Sequence, residues 1–186
     1  MSALLQDDEY HIIQQCRNGD NDGYAVLVDR YQSLAYTTAC RMLGDAETAN
    51  DIAQESFLAA HQGLRHFRFG SKFSSWLTSI VLNKCRDHLR SRRTTVGIDE
   101  IAEIRETRRR DPEQEAIAGE SADALQKALN CLPPDYREAI ILKHIEELDY
   151  QSISEILGVS IAALKVRTHR GREMLKGLLE RSGVTP

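Results

Sequence analysis

The sequence predicts an all-helical protein of two small units, and three observations carry that reading. Apolar residues recur at three- and four-residue steps through most of the 186-residue chain. Aromatic residues make up only 6% and Val/Ile/Thr runs are short, which disfavours sheet. The periodicity fades between residues 94 and 121, where several acids, the run Arg108-Arg109-Arg110 and Pro112 stand with few large apolar side chains. That stretch is expected to be a solvated, flexible linker. The expected units are residues 1–93 and 122–186, each with enough apolar side chains for a modest core.

In the first unit, Tyr10, Ile12, Ile13 and Cys16 predict a short helix from Asp8 to Arg17 that stops near Asn18-Gly19. Asp20 is placed to cap a second helix carrying Tyr24, Leu27, Val28, Tyr31, Leu34 and Ala35, which Gly44 closes. A third begins at Asp45, with Ala49, Ile52, Ala53, Phe57 and Ala60 on one side. His66 to Ser71 breaks the pattern. A fourth helix runs from Ser74 to Arg92 on a stripe of Trp76, Leu77, Ile80, Val81, Cys85 and Leu89.

The second unit opens with a helix holding Ala124, Leu125, Ala128 and Leu129. Pro133-Pro134 ends it and starts the next, whose stripe is Ala139, Ile140, Leu142 and Ile145. Tyr150 to Leu157 then makes two helical turns, Gly158-Val159-Ser160 turns the chain, and Ile161 to about Glu180 is helical again. Ile153 and Leu157 are expected to face inward, with the small Ser154 where the helices approach. Gly158 suits the left-handed turn that ends a helix, and Ser160 can accept from the next helix's free amides. Leu164 buries the back of that helix, leaving Lys165, His169, Arg170 and Arg172 outward. An apolar back and a basic front at a steep angle make a helix-turn-helix suited to a DNA major groove.

The formal net charge of −4 conceals a segregated layout. Residues 63–93 hold eight bases (Arg65, Arg68, Lys72, Lys84, Arg86, Arg90, Arg92, Arg93) against Asp87 alone. Residues 165–176 hold five (Lys165, Arg167, Arg170, Arg172, Lys176) against Glu173. Two basic islands on an acidic body suggest two phosphate-contacting sites, with repulsion of DNA elsewhere.

Other classes find little support. Cys16, Cys40, Cys85 and Cys131 are far apart, without the paired spacing of a metal or redox site, so neither a disulfide scaffold nor a metal is expected. There is no H-E-x-x-H, no phosphate-cradling glycine loop and no nucleophile elbow; His144-Ile-Glu146 lacks the cysteine pair that a zinc deaminase needs. No enzyme activity, cofactor or small-molecule substrate is expected. With no run of eighteen apolar residues and no basic-then-apolar leader over residues 1–20, the expected location is the cytoplasm.

A helix-turn-helix also fits a stand-alone regulator that binds duplex DNA. The first unit separates the two readings. Glu47-Thr-Ala-Asn-Asp-Ile-Ala-Gln-Glu-Ser-Phe57, followed by Phe73-Ser-Ser-Trp-Leu-Thr-Ser-Ile-Val-Leu-Asn83, closely resembles region 2 of the extracytoplasmic-function (ECF, group 4) sigma factors of the sigma-70 family. Gly19-Asp20 before the Tyr24 helix resembles that family too, as do Leu132-Pro133 before Arg137 and Leu157-Gly-Val-Ser-Ile-Ala-Ala-Leu-Lys165 in region 4. The resemblance spans nearly the whole chain, in order, with a dissimilar linker where the family has one.

The resemblance implies an alternative sigma factor that binds core RNA polymerase and directs transcription initiation at particular promoters. It implies that Asp51, Gln54 and Glu55 dock on the polymerase β′ coiled coil, while region 4 meets the β flap. Their spacing puts all three on one helix face, an acidic ridge suited to an arginine-rich partner helix. The segment His66 to Lys72 matches the loop that captures −10 promoter DNA. There Phe67 or Phe69 would stack on an unpaired base, worth about 1–3 kcal/mol, while Arg68 and Lys72 meet phosphates. Asn83, Arg86 and Arg90 would contact the same element; Phe73 and Trp76 are read as core. In region 4 the resemblance points to Lys165, Val166, His169 and Arg170 as −35 readers, with His169 alternatively a spacer. Arg167 and Arg172 would position phosphates without specifying sequence. A membrane-anchored anti-sigma partner clamping both units is the regulator that the family implies.

Overall fold

The computed structural model describes the backbone of residues 2–19, 22–68, 72–95 and 118–182. Among these residues the chain is helical throughout, with no strand: α1 (Ser2–Arg17), α2 (Tyr24–Leu43), α3 (Ala46–Gly63), a 3-10 turn (Leu64–His66), α4 (Phe73–Thr95), α5 (Ala118–Cys131), α6 (Pro134–Ile140), a π turn (Ile141–Ile145), α7 (Tyr150–Leu157) and α8 (Ile161–Arg181). The expected linker 94–121 is narrowed at both ends, since α4 reaches Thr95 and α5 begins at Ala118. The expected cap at Asp20 lies outside the described residues; Gly23 precedes α2 and makes no side-chain cap.

In the first unit α2, α3 and α4 pack around Leu27, Ala39, Met42, Ala49, Phe57, Ala60, Phe73, Leu77 and Val81. Small residues (Ala35, Ala39, Ala49, Ala60) at the crossings let the helices approach closely, and Tyr24 spans one crossing by donating its hydroxyl to the Phe57 carbonyl at 2.7 Å. Asp45 caps α3 as its sequence position predicts, its carboxylate accepting from the Thr48 amide at 3.1 Å. Gly44, at φ 71°, ends α2 in the left-handed form. Glu9 ties α1 to the start of α4: its carboxylate accepts from the Tyr31 hydroxyl at 2.5 Å and from the Phe73 amide at 3.2 Å.

In the second unit Leu129, Leu132 and Ile140 are buried, with Leu125, Leu175 and Leu178 packed against them. The helix that starts at Pro134 was expected to continue evenly through Ile145. Instead Ile141–Ile145 is a π turn in which the Glu146 amide bonds to the Ile141 carbonyl at 2.9 Å, and Glu147 follows at φ 53°. The widened turn carries Ile141 and Leu142, both fully buried, into the apolar cluster of the first unit.

Two separate cores were expected; among the described residues the larger cluster instead crosses the boundary, and a smaller one stays within the second unit. Ile141, Leu142, Ile153, Ile156 and Leu164 share the larger cluster with the core of α2–α4. Polar contacts reinforce the join. Arg41 pairs with Glu146 at 3.1 Å, and Gln126 donates to the Arg41 carbonyl at 3.1 Å. Arg137, almost fully buried, donates to the carbonyls of Met42, Asn130 (2.6 Å) and Leu132 (3.0 Å). A cation on the last carbonyls of α2 is well placed against that helix's negative end.

Candidate nucleic-acid interface

Three surfaces carry the residues singled out in the sequence. On α3, Asp51, Gln54 and Glu55 are all exposed and lie on the face opposite the buried Ile52, Ala53, Ser56 and Phe57. Glu55 is not idle: the Lys84 ammonium of α4 donates to its carboxylate at 2.9 Å. The same ridge contains Leu58, 65% exposed, which the sequence reading passed over. Its place three and four residues beyond Glu55 and Gln54 is the signal that identifies it.

The second surface runs from the 3-10 turn to α4. Arg68, Lys72, Asn83 and Arg90 are exposed there. Phe69 falls outside the described residues. Phe67 corrects an expectation: its ring is 5% exposed and packs against Trp76 (centroids 5.2 Å apart) and Phe73 (6.0 Å). Phe67 therefore belongs to an aromatic core group with Tyr31, Phe73 and Trp76, and is not available to stack on a base in this structure. Phe73 and Trp76 are core-facing, as expected.

Arg86 also departs from expectation. Its guanidinium donates to both carboxylate oxygens of Glu138, Nε to Oε1 at 2.6 Å and Nη2 to Oε2 at 3.0 Å, and also to the Asn83 side-chain oxygen. Glu138 is 1% exposed. Burial pushes its carboxyl above the usual glutamate range, while Arg86 pulls in the other direction. Arg86 in turn holds its own proton more firmly because of that hydrogen bond. The neighbouring Cys85 thiol is pushed up to about 12 by burial and by the Glu138 charge, so it is an unreactive core residue.

The third surface is α8. Asp149 caps α7 (Ser152 amide, 2.9 Å), Gly158 turns the chain at φ 65°, and Ser160 caps α8 (Ala163 amide, 3.3 Å). Gly158 and Ser160 have the turn and cap roles their residue types suggested; the Asp149 cap was not anticipated. Ser154 does more than leave room, because its hydroxyl donates to the Val159 carbonyl across the turn at 2.7 Å. Ile153 and Ile156 are the buried residues of α7, and Leu157 is only half-buried, which shifts the expected inward face by one residue. α7 packs against both α4 and α8, and Ile153 and Ile156 are the side chains it buries there.

On α8 itself Leu164, Thr168 and Gly171 form the buried back. Lys165, Val166, His169, Arg170 and Arg172 stand exposed, Val166 at 50%. Arg167 does not join them: it is half-buried and paired with Asp135 of α6 at 3.0 Å. The α8 front thus offers two arginines, a lysine and an apolar Val166, which can contact guanine edges, phosphates and a thymine methyl. Among the described residues no group of histidines, cysteines and carboxylates could hold a metal, and no helix is long and apolar enough to cross a membrane.

An exposed basic helix behind a capped turn, joined to a helical unit with an acidic ridge, has the architecture of a helix-turn-helix protein of the DNA-binding class. Comparison with known families makes the assignment specific. Residues 27–95 match the family model for Sigma-70 region 2, and residues 122–175 match that for Sigma-70, region 4. The chain belongs to the sigma-70 family, within its ECF group, and is a sigma factor of transcription initiation. Similar proteins include the ECF RNA polymerase sigma factor SigW of Bacillus subtilis, 35% identical over 88% of this chain and 92% of that one. The RNA polymerase sigma-H factor of Pseudomonas aeruginosa is 29% identical over 95% and 96%. Among solved structures, CnrH in complex with the cytosolic domain of CnrY superposes with a TM-score of 0.67 at 27% identity, over 91% of this chain and 96% of that one. RpoE in complex with the anti-sigma factor NepR from Bartonella quintana gives 0.68 at 26%, over 84% and 96%.

Proposed function

We propose that this sigma factor engages polymerase through the α3 ridge and reads a two-part promoter through α4 and α8. Asp51, Gln54 and Glu55 would meet an arginine-rich helix of the β′ coiled coil, with Leu58 as an apolar anchor between them. Charge-assisted hydrogen bonds position such a partner, and the exposed leucine excludes water at the centre of the contact. Region 4 would rest near the β flap. Arg68, Lys72, Asn83, Arg86 and Arg90 would hold the −10 element, with Phe69 as the base-stacking ring in place of the buried Phe67. Lys165, Val166, His169 and Arg170 would face the −35 bases, and Arg172 the phosphates; Arg167 would reach DNA only by leaving Asp135. No catalytic step or cofactor belongs to this scheme, and the protein would act in the cytoplasm.

The observation that carries the reading is the co-exposure of Asp51, Gln54, Glu55 and Leu58 on one face of α3. Binding duplex DNA alone does not require such a ridge. The solved relatives bound to CnrY and to the anti-sigma factor NepR support control of this chain by an anti-sigma partner, which the family would anchor at the membrane. Run-off transcription with core polymerase on a promoter library tests the scheme. Polymerase-dependent products at two-part, non-palindromic promoters are expected; tight polymerase-independent binding to a palindrome would instead establish the regulator.

A further inference from the structure

Tyr150 is the first residue of α7, and three contacts fix its ring. Asp149 caps the helix just ahead of it, the half-buried ring packs against the larger apolar cluster, and the Lys143 ammonium lies 5.0 Å from the ring centroid. Lys143 is anchored in its turn: it stands on the π turn and donates to the Leu148 carbonyl at 3.0 Å. A second ammonium lies over the same ring. Lys165 Nζ, from the front of α8, is 6.0 Å from the centroid. Both distances are within the reach of a cation–π contact.

Lys165 is exposed near the start of α8, where a recognition helix presents its side chains to base edges. A lysine carries its charge on a flexible four-carbon stem, so an unconstrained ammonium can donate to several acceptors in a groove. Such a side chain adds affinity more readily than discrimination. Holding the ammonium over a fixed ring removes part of that freedom before DNA arrives.

We propose that Tyr150 determines specificity at the −35 element: its ring positions the Lys165 ammonium so that Lys165 donates to one base pair instead of ranging over several. Tyr150 touches no base in this scheme; it is a positioning residue that acts through Lys165. The ring face holds the cation, so phenylalanine can stand in for tyrosine there. The proposal rests on the reading of Lys165 as a −35 contact.

In the test, the full-length chain with core polymerase transcribes a promoter library randomised at the −35 element. Lys165→Ala marks the base pair that Lys165 reads as the position where preference is lost. Tyr150→Leu, which keeps an apolar side chain against the cluster, should lower preference at that position about two- to five-fold and leave the other positions alone. Tyr150→Phe should retain the preference, and Tyr150→Leu should add nothing in the Lys165→Ala background. Nuclear magnetic resonance of the free full-length chain gives a readout independent of DNA. The Lys165 methylene protons nearest the ammonium should be shifted upfield by the ring in the parent and in Tyr150→Phe, and not in Tyr150→Leu. An equal loss at every −35 sequence, or a further loss in the Lys165→Ala background, would overturn the positioning role. Absence of the upfield shift in the parent would overturn the contact itself, whether or not Tyr150→Leu folds. A shift that is present while Lys165→Ala leaves every −35 preference unchanged would instead sink the −35 reading of Lys165, and the specificity role with it.

Discussion

The Lys84 ammonium lies 2.9 Å from the Glu55 carboxylate, so one acid of the α3 ridge is already neutralised from within by α4. Glu55 is more than half exposed, and an exposed pair of this kind contributes about 0–1 kcal/mol to stability. A partner arginine therefore displaces Lys84 at little expense. Lys84→Ala should leave the unfolding free energy within about 0.5 kcal/mol of the parent and raise core-polymerase affinity two- to five-fold in a binding titration. Weaker binding would mean that Lys84 itself touches polymerase.

Asp51 has no such internal cation among the described ion pairs, and it faces water. Asp51→Arg presents like charge to an arginine-rich helix. It should abolish co-purification with core polymerase while leaving thermal unfolding and duplex binding by the full chain unchanged. Retained capture would place the docking surface elsewhere.

Arg170 is exposed on the front of α8, one turn from Val166. A bidentate arginine–guanine contact discriminates by about 1–3 kcal/mol, or roughly ten- to a hundred-fold. Arg170→Ala should lower transcription from promoters with an intact −35 element by that factor, yet leave core binding intact. If the loss is equal on promoters whose −35 bases are scrambled, the residue contacts phosphate and reads nothing.

Gly171 is needed for space rather than for conformation. A Cβ there would sit 2.9 Å from Ile140 Cγ1 and 3.3 Å from Tyr136 Cβ, in the tight crossing of α6 and α8. Alanine gains about 1 kcal/mol in helix propensity, and overpacking costs about 1–3 kcal/mol. Gly171→Ala should therefore lower stability by about 1 kcal/mol, read as a shift in urea midpoint without a change in slope. A stabilised variant would show that the crossing has slack.

Asp149 titrates below the usual aspartate value because the Ser152 amide and hydroxyl both donate to its carboxylate at the start of α7. A depressed folded pKa contributes stability that is present above the unfolded value near 3.8 and fades as pH falls through the folded one. The stability difference between parent and Asp149→Ala should thus be full at pH 7 and shrink steadily below pH 4. A difference that stays constant into acid would show that the cap acts through shape and not charge.

Much of the molecule was legible before any coordinates. The caps at Asp45 and Ser160, the left-handed glycines 44 and 158, and the buried backs of α3 and α8 follow from residue type and spacing, because each is settled within one or two helical turns. The exposed basic front of α8 and the Asp51-Gln54-Glu55 ridge follow likewise, since a helix of known phase assigns its outer face without reference to its neighbours. Even Leu58 could have been found by that phase alone.

What tertiary structure decided lies where distant segments meet. Phe67 looks from the sequence like a loop aromatic; only the arrival of Phe73 and Trp76 makes it core. Arg86 read as a −10 contact and Arg167 as a phosphate contact, and each instead finds a carboxylate on α6, Glu138 fifty-two residues away in one case and Asp135 in the other. The π turn has no local motif to announce it, and its geometry is set by drawing Ile141 and Leu142 into a core that mostly belongs to the first unit. Helical period determines which side of each element is apolar. Whether the charges on the other side face water, DNA or one another depends on how the two units come together, and that is a property of the packed chain.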